Sequence, residues 1–360
     1  MIMSFLPRIN KLKEILAQLN LNGIYVTNLT NVRYLSGFTG SAGSLLILHD
    51  KQYFFTDGRY IEQSKEQIKD YEIHIVGSAH YKEIADKTLI AANAKIGLEA
   101  DFVSLNMFDQ IVKLLPDVVW EKVPDFIGEI AAVKDQMEIE SLKTAIEITD
   151  SVFDQIVPDL KIGAIEKEIS AKISYLFKMN GAEGDSYDSI IGSGYLGALP
   201  HARPTDKPFE NQDFVVMDFG ALYNGYHADM TRTVVIGEAT EKHKEIYDIV
   251  LESQLAGVSQ AKAGMTGEEL DKICRDIIVK HGYGDKFIHS TGHGIGLEVH
   301  TFPRISSFNK KPLLENYVIT IEPGIYLEGW GGVRIEDDCW IREDDCVVLN
   351  KSTKEMLVLK

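Results

Sequence analysis

Asn224-Gly225 restricts this chain more than any other feature, because it sits between two apolar runs that each carry an aspartate. The first run is Phe214-Val215-Val216-Met217-Asp218-Phe219-Gly220 and the second is Tyr226 to Ile236. Both read as strands, and Asn-Gly readily takes the two positive φ values of a tight hairpin turn. A two-residue turn fixes the register, since partner positions then sum to a constant. Asp218 faces Thr231 and Asp229 faces Gly220. The two aspartates become diagonal neighbours on one face, roughly 7–8 Å apart at the backbone. Carboxylates that close repel, so a cation lies between them or one takes a proton. Each aspartate alone has a blander reading as a polar residue on a solvated sheet face. That reading suits Asp229, with Arg232 nearby, better than Asp218, which apolar residues surround.

Three further segments carry chemistry. His289 to His300 holds three histidines, and glycines flank His293 on both sides, which lets the backbone approach a ligand or another strand closely. Thr320-Ile321-Glu322-Pro323-Gly324 places a glutamate at the end of an apolar strand. Gly332-Val333-Arg334-Ile335-Glu336-Asp337-Asp338 places another in a second strand, where alternation sets Arg334 and Glu336 on one face and Val333 and Ile335 on the other. Arg334 alone could satisfy Glu336, but nothing comparable stands beside Glu322. Together these give four carboxylates and one imidazole in strand or turn contexts. Such an oxygen-rich set suits Mn²⁺, Co²⁺, Fe²⁺ or Zn²⁺, and two dications would neutralise it.

The rest of the chain frames that cluster. Its 360 residues suit two domains, and an apolar fraction of 45% supplies packed cores. The first third alternates helix and strand patterns, from a helical face of Ile9, Leu12, Ile15, Leu16 and Leu19 through strands near Gly23–Thr27, Ser44–Leu48 and Tyr53–Thr56. Helices are expected near Ile61–Ile68, Tyr81–Ala92 and Leu105–Leu114, and short strands near Glu72–Val76, Lys95–Leu98 and Val118–Lys122. That is an α/β domain over residues 1–130. Residues 131–360 open with a long helical pattern from near Lys134 and become strand-rich from Asp185, an α+β domain of helices over an antiparallel sheet.

A formal net charge of −17 disfavours nucleic acid as a partner. No stretch is apolar enough to span a bilayer, and Met1 to Asn10 lacks the apolar core of a signal peptide. The odd count of three cysteines fits reduced thiols in a cytoplasmic protein. Gly192-Ser193-Gly194-Tyr195-Leu196-Gly197 satisfies a dinucleotide-binding pattern, but Pro200 and Pro204 follow where a helix should open, so a Gly-rich loop is the better reading.

The order Asp, Asp, His, Glu, Glu, within the text VVMDFG, HADMTRT, STGHGIGLEVH, TIEPGIY and VRIEDD, resembles the pita-bread metallopeptidase family. The resemblance runs over Lys134 to Lys360. It implies a pita-bread fold with two divalent metal ions, Mn²⁺ first and Co²⁺, Zn²⁺ or Fe²⁺ as alternatives. Their ligands would be Asp218, Asp229, His293, Glu322 and Glu336, with Asp218 and Asp229 holding one ion and His293 and Glu322 helping to hold the other. Asp229 and Glu336 are the candidates for chelating or bridging roles. Pro200-His201-Ala202-Arg203-Pro204 resembles the proline-peptidase branch, and the N-terminal text around Leu35–Gly43 and Phe55–Tyr60 resembles Xaa-Pro aminopeptidase. The resemblance implies cleavage between an N-terminal residue and a following proline in peptides, with His201, His300 and Glu322 as catalytic groups and His289, Tyr326 and Arg334 around the proline pocket. It also implies a homodimer.

The alternative within the class is Xaa-Pro dipeptidase, which would share every ligand. Methionine aminopeptidase is a weaker rival, because that branch usually lacks both the N-terminal domain and the Pro-His-Ala-Arg-Pro text. The alternative from another class is a binding module of the same fold that has lost its ligands, a reading at odds with five intact ligand positions.

Overall fold

The computed structural model describes residues 4–77 and 79–360. It divides into two compact units, Met1–Ala131 and Ala132–Lys360.

The first unit is a mixed six-stranded sheet with helices. In chain order it contains α1 (Leu6–Gln18), β1 (Gly23–Val26), α2 (Leu29–Ser36), β2 (Ser44–Leu48), β3 (Gln52–Thr56), α3 (Ile61–Gln67), β4 (Glu72–Ile75), α4 (His80–Asp86), β5 (Lys95–Glu99), α5 (Leu105–Leu114) and β6 (Val119–Val123), and α6 (Phe126–Ala132) follows. The strand order is β4-β3-β2-β1-β5-β6. β1 and β2 are antiparallel while β1 and β5 are parallel, so the crossovers carry helices onto the sheet. Tyr25, Leu46, Phe55, Ile84, Ile96 and Ile111 meet in the core. Ile9, Leu12 and Leu16 are buried along α1 as their spacing predicts, whereas Leu19 lies past the helix end and is exposed. α4 stops at Asp86 rather than Ala92, because Thr88 and Asn93 adopt positive φ values of 50° and 62° that a helix cannot contain. α2 occupies a stretch the periodicity leaves unassigned. Its signals are local: the Asn28 side chain accepts from Thr30 N at 2.9 Å, and Gly37 closes the helix at φ 76°.

The second unit opens with α7 (Gln136–Ile156), started by a capping box between Asp135 and Glu138. There follow α8 (Glu166–Met179), β7 (Gly184–Asp185), β8 (Ile190–Ser193), β9 (Phe214–Phe219), β10 (Ala221–Tyr223), β11 (Tyr226–His227), β12 (Met230–Ile236), α9 (Glu241–Gln260) and α10 (Gly267–Lys280). The chain ends in β13 (Gly292–Gly294), β14 (Thr301–Ile305), β15 (Val318–Ile321), β16 (Gly324–Leu327), β17 (Gly331–Arg334), β18 (Asp337–Ile341), β19 (Cys346–Val348) and β20 (Leu357–Leu359). Two main sheets result, ordered β20-β12-β9-β8 and β14-β13-β15-β18-β19, joined by the β16-β17 ribbon. All their pairs are antiparallel except β12 with β20. α7 and α8 pack over the first sheet, where Val152, Phe153, Ile173 and Phe177 meet Val215, Met217 and Val234. The α+β architecture read from the sequence is the one observed.

The hairpin register also matches. Thr231 pairs with Asp218, and Tyr223 with Tyr226 across the turn. Asn224 and Gly225 take φ values of 49° and 72°, as a primed turn requires. Two strand expectations fail, the first because Tyr226 to Ile236 divides into β11 against β10 and β12 against β9. Gly332 to Asp338 is not a continuous strand: β17 ends at Arg334 against β16, and β18 starts at Asp337 against β15. Glu336 sits at this change of partner, where the backbone passes from one sheet to the other.

Candidate metal centre and cleft

Glycine sets the approach to His293. A Cβ at Gly292 would lie 2.0 Å from Thr320 O, and one at Gly294 would lie 1.9 Å from Phe302 O. Only glycine lets β13 thread this closely between β14 and β15, and His293 is thereby held between them. β15 delivers Glu322 just past its end, where Glu322 N donates to Thr291 O at 2.8 Å. β9 delivers Asp218, and Asp229 precedes β12.

The structure brings these side chains together. A cavity of about 520 Å³ is lined by His201, Asp218, Asp229, His289, His293, His300, Glu322, Arg334 and Glu336. Of the residues singled out by sequence, only Tyr326 is not on that wall. It lies directly behind, with Tyr326 Oη 2.9 Å from His289 Nε2. Asp229, His293 and Glu336 each offer a ligand atom within 4.8 Å of the others.

His293 supplies the test of whether a cation fits. Its Nδ1 lies 3.2 Å from Gly294 O. A carbonyl only accepts, so Nδ1 carries the proton and Nε2 presents a lone pair. That lone pair points at carboxylates, 3.6 Å from Asp229 Oδ2 and 3.5 Å from Glu322 Oε1. Burial, with His300 adding to it, pushes the His293 pKa down to about 3, so Nε2 carries no proton at neutral pH. A lone pair facing two carboxyl oxygens is the arrangement of a ligand set.

The carboxyls tell the same story. Burial raises Asp229, Glu322 and Glu336 well above the usual carboxylate range, and Asp218, Glu336 and Asp229 respectively repel them further. A dication bound among them would reverse the sign of the local field and favour their charged forms.

The surrounding bonds orient the set. Thr231 Oγ1 donates to Glu336 Oε2 at 2.6 Å and accepts from Arg334 Nε at 2.9 Å. The Arg334 guanidinium pairs with Asp218 Oδ2 rather than with Glu336. The simple ion pair that sequence allowed between Arg334 and Glu336 is therefore replaced, because the chain turns out of β17 before Glu336. Arg232 is likewise not the partner of Asp229. It pairs with Asp337 Oδ1 at 2.7 Å on the other side of the strand. Arg334 Nη1 donates to Tyr326 Oη at 2.8 Å, whose own proton then goes to His289 Nε2, while His289 Nδ1 donates to Ser290 O at 2.8 Å. Burial and the Arg334 charge bring the His289 pKa down to about 4, consistent with a neutral ring that accepts. His300 stands at the cavity edge, open to solvent on one side, with its ring centroid 4.2 Å from that of His293, and partial desolvation together with Arg304 lowers its pKa.

Sequence reasoning missed three groups. Tyr187 Oη bonds both Asp218 Oδ1 and Asp229 Oδ1. Nothing in Asp185-Ser186-Tyr187-Asp188 announces this, since the partners lie far along the chain. Thr231 was legible as the partner of Asp218 but not as a hydroxyl joining Arg334 to Glu336. Arg304 lines the cavity and pairs across the sheet with His293, and the positions around it carried no pattern.

Comparison with known proteins adds to this geometry. Residues 140–343 match metallopeptidase family M24, and residues 8–133 match the Creatinase/Prolidase N-terminal domain. A protein of Pyrococcus furiosus named Xaa-Pro dipeptidase is 40% identical, with 97% of this chain and 99% of the relative covered. A solved structure of an Xaa-Pro dipeptidase from Bacillus anthracis superposes with a TM-score of 0.96 at 38% identity, covering 99% of this chain and 100% of that one. An X-Pro aminopeptidase from Thermotoga maritima gives 0.88 at 40% identity, with 98% and 99% covered.

Proposed function

The chain belongs to metallopeptidase family M24, and on that premise we propose that it hydrolyses the peptide bond between an N-terminal residue and a following proline. The observation that carries this reading is His293 Nε2 placed 3.6 and 3.5 Å from Asp229 and Glu322 inside the cleft, with Nδ1 turned to Gly294 O. Asp218, Asp229, His293, Glu322 and Glu336 are proposed to hold two divalent ions, Mn²⁺ first by ligand type. Bound there, such ions polarise a carbonyl and allow water to ionise near neutral pH.

The chain's own groups do the rest. Glu322 takes the proton released on attack and delivers it to the leaving nitrogen, a task suited to a carboxyl whose proton affinity burial has raised. The leaving nitrogen must gain a proton as the C–N bond breaks, and because a proline nitrogen in a peptide carries no hydrogen, the delivered proton becomes the product's one N–H. Neutral His300 donates an N–H to the developing oxyanion, and His201, also on the cavity wall, meets the scissile peptide. His289, Tyr326 and Arg334 satisfy one another's polar atoms. A wall of that kind suits a proline ring, which offers no N–H of its own.

Sequence reading put Xaa-Pro aminopeptidase first because of the N-terminal segment. Relatives named as dipeptidases match across that segment too, so it does not separate the two. The dipeptidase reading is favoured by Arg304, an exposed cation on the cleft wall whose guanidinium has no hydrogen bond or ion pair among the described residues. A dipeptide brings its terminal carboxylate close to the scissile bond, and a guanidinium pairs well with it. A cytoplasmic location and a homodimer complete the proposal. Among the described residues no helix is long and apolar enough to cross a membrane.

After reconstitution with Mn²⁺, Gly-Pro, Arg-Pro-Pro and Met-Ala-Ser are offered in parallel. Hydrolysis of Arg-Pro-Pro supports the aminopeptidase, and of Gly-Pro alone the dipeptidase. Cleavage of Met-Ala-Ser in preference to both proline peptides would overturn the reading.

A further inference from the structure

Glu166 is the first residue of α8, fully buried and absent from the cavity wall. Its two oxygens are completely used. Oε1 accepts from Ser193 N at 2.8 Å and Ser193 Oγ at 2.7 Å, and Oε2 accepts from Thr205 N at 2.8 Å and Thr205 Oγ1 at 2.7 Å. A buried carboxylate is costly unless its lone pairs are met, and here four donors meet them. The donors come in two pairs, one from each end of a single segment. Ser193 closes β8 and Thr205 begins the return towards β9.

Between those ends the segment enters the cleft. Pro200, His201 and Arg203 line the cavity, and Pro200 O accepts from Arg334 Nη1 at 3.2 Å. His201 itself is exposed and makes no hydrogen bond among the described residues, so its place is inherited from the backbone that carries it. The return path is tied to the same helix end, with Glu166 N donating to Lys207 O at 3.3 Å and Lys167 N to Thr205 O at 3.1 Å. These carbonyls occupy first-turn amides that a helix leaves unpaired. Lys207 Nζ reaches back to Ser193 Oγ at 3.1 Å, placing a cation beside the buried carboxylate's partner.

We propose that Glu166 is a positioning residue: it clamps both ends of the segment 193–205 and thereby sets where His201 stands against the substrate. The proposal rests on the reading that His201 meets the scissile peptide. Glu166→Gln is the informative change, because an amide keeps the size but turns N–H donors towards one of the two donor pairs and so releases one end. Two readouts are needed. Hydrogen–deuterium exchange should rise about tenfold over 194–205 and the first turn of α8, leaving 214–236 and 292–294 as in the wild type. With Arg-Pro-Pro and Gly-Pro, kcat/KM should fall about ten- to a hundredfold in Glu166→Gln and in His201→Ala, and the double variant should be no worse than the lower single. Multiplicative losses, or exchange raised across the whole second unit, would overturn the proposal and leave Glu166 a mere fold stabiliser. If the wild type cleaves no proline peptide, the activity reading fails, and the exchange pattern still decides the clamp. Should Glu166→Gln not fold, Glu166→Asp, one methylene too short to span both ends, is read by the same two measurements.

Discussion

His293 Nε2 faces Asp229 and Glu322 across 3.6 and 3.5 Å, and the cleft is organised around that contact. Removing charge from either side of the set has different consequences. In the proposed reaction Glu322→Gln keeps shape but cannot cycle a proton, so turnover of the proposed Xaa-Pro substrate should fall by about 10³-fold or more, the scale for losing a group aimed at developing charge. Its thermal midpoint should stay within a few degrees of the wild type. Asp218→Asn should also abolish turnover. It additionally weakens the buried pair with Arg334, at a cost of about 1–3 kcal/mol seen in denaturant titration. Wild-type rates in either variant would show that the ligand set is misassigned. Asp218, His293 and Glu322 share one property: each is an ionisable group inside or at the end of an apolar or glycine-rich run, where its presence needs an explanation. Tyr187 lacks that property. Its hydroxyl matters only because residues 31 and 42 positions later fold onto it.

At the scale of elements, the hairpin of β9 to β12 was legible because a turn is a local object. Two residues with positive φ fix its type, and the type fixes the register of both arms. Gly225→Ala should therefore cost about 1–2 kcal/mol, the price of a Cβ at positive φ, read as a lower urea midpoint with unchanged slope. A neutral result would mean that the turn does not set the register. The β17 to β18 break was not legible for the converse reason. Alternation over Gly332 to Asp338 describes side chains correctly, with Val333 and Ile335 in a core and Arg334 and Glu336 towards the cleft. It says nothing of which strand pairs with which, and the partner changes from β16 to β15 within three residues. α2 escaped for want of periodicity in eight residues, although its Asn28 cap and Gly37 stop are present in the text.

At the scale of the molecule, ligand binding bears on the second compact unit and protonation on the first. Ions that bind only the folded second unit stabilise it by mass action, by about 2.7 kcal/mol at a hundredfold excess over Kd. Added Mn²⁺ should raise the unfolding midpoint and EDTA should reverse it; a midpoint indifferent to both would contradict the proposed centre. In the first unit, burial raises the Glu99 carboxyl above its ordinary range even though Asn31 Nδ2 and the amides of Thr27 and Asn28 donate to it. A carboxyl so raised binds its proton more tightly folded than unfolded. Its contribution is greatest below the unfolded value of about 4.3 and is lost as pH climbs through the folded value. The stability of Glu99→Gln relative to wild type should hence improve as pH rises from about 4 to 8, at the same Mn²⁺-induced gain; a difference flat with pH would refute the assignment. Sequence alone determined the two-part architecture and the hairpin register, and it singled out the acids and the histidine that the structure brings together, because patterning, turn chemistry and composition act over a few residues. Only the tertiary structure decided which groups meet: Arg334 on Asp218 across 116 positions, Thr231 on Glu336 across 105, and Glu166 on both ends of the His201 segment. Those contacts form when sheets and helices close over one another, and no local pattern in the chain encodes the closure.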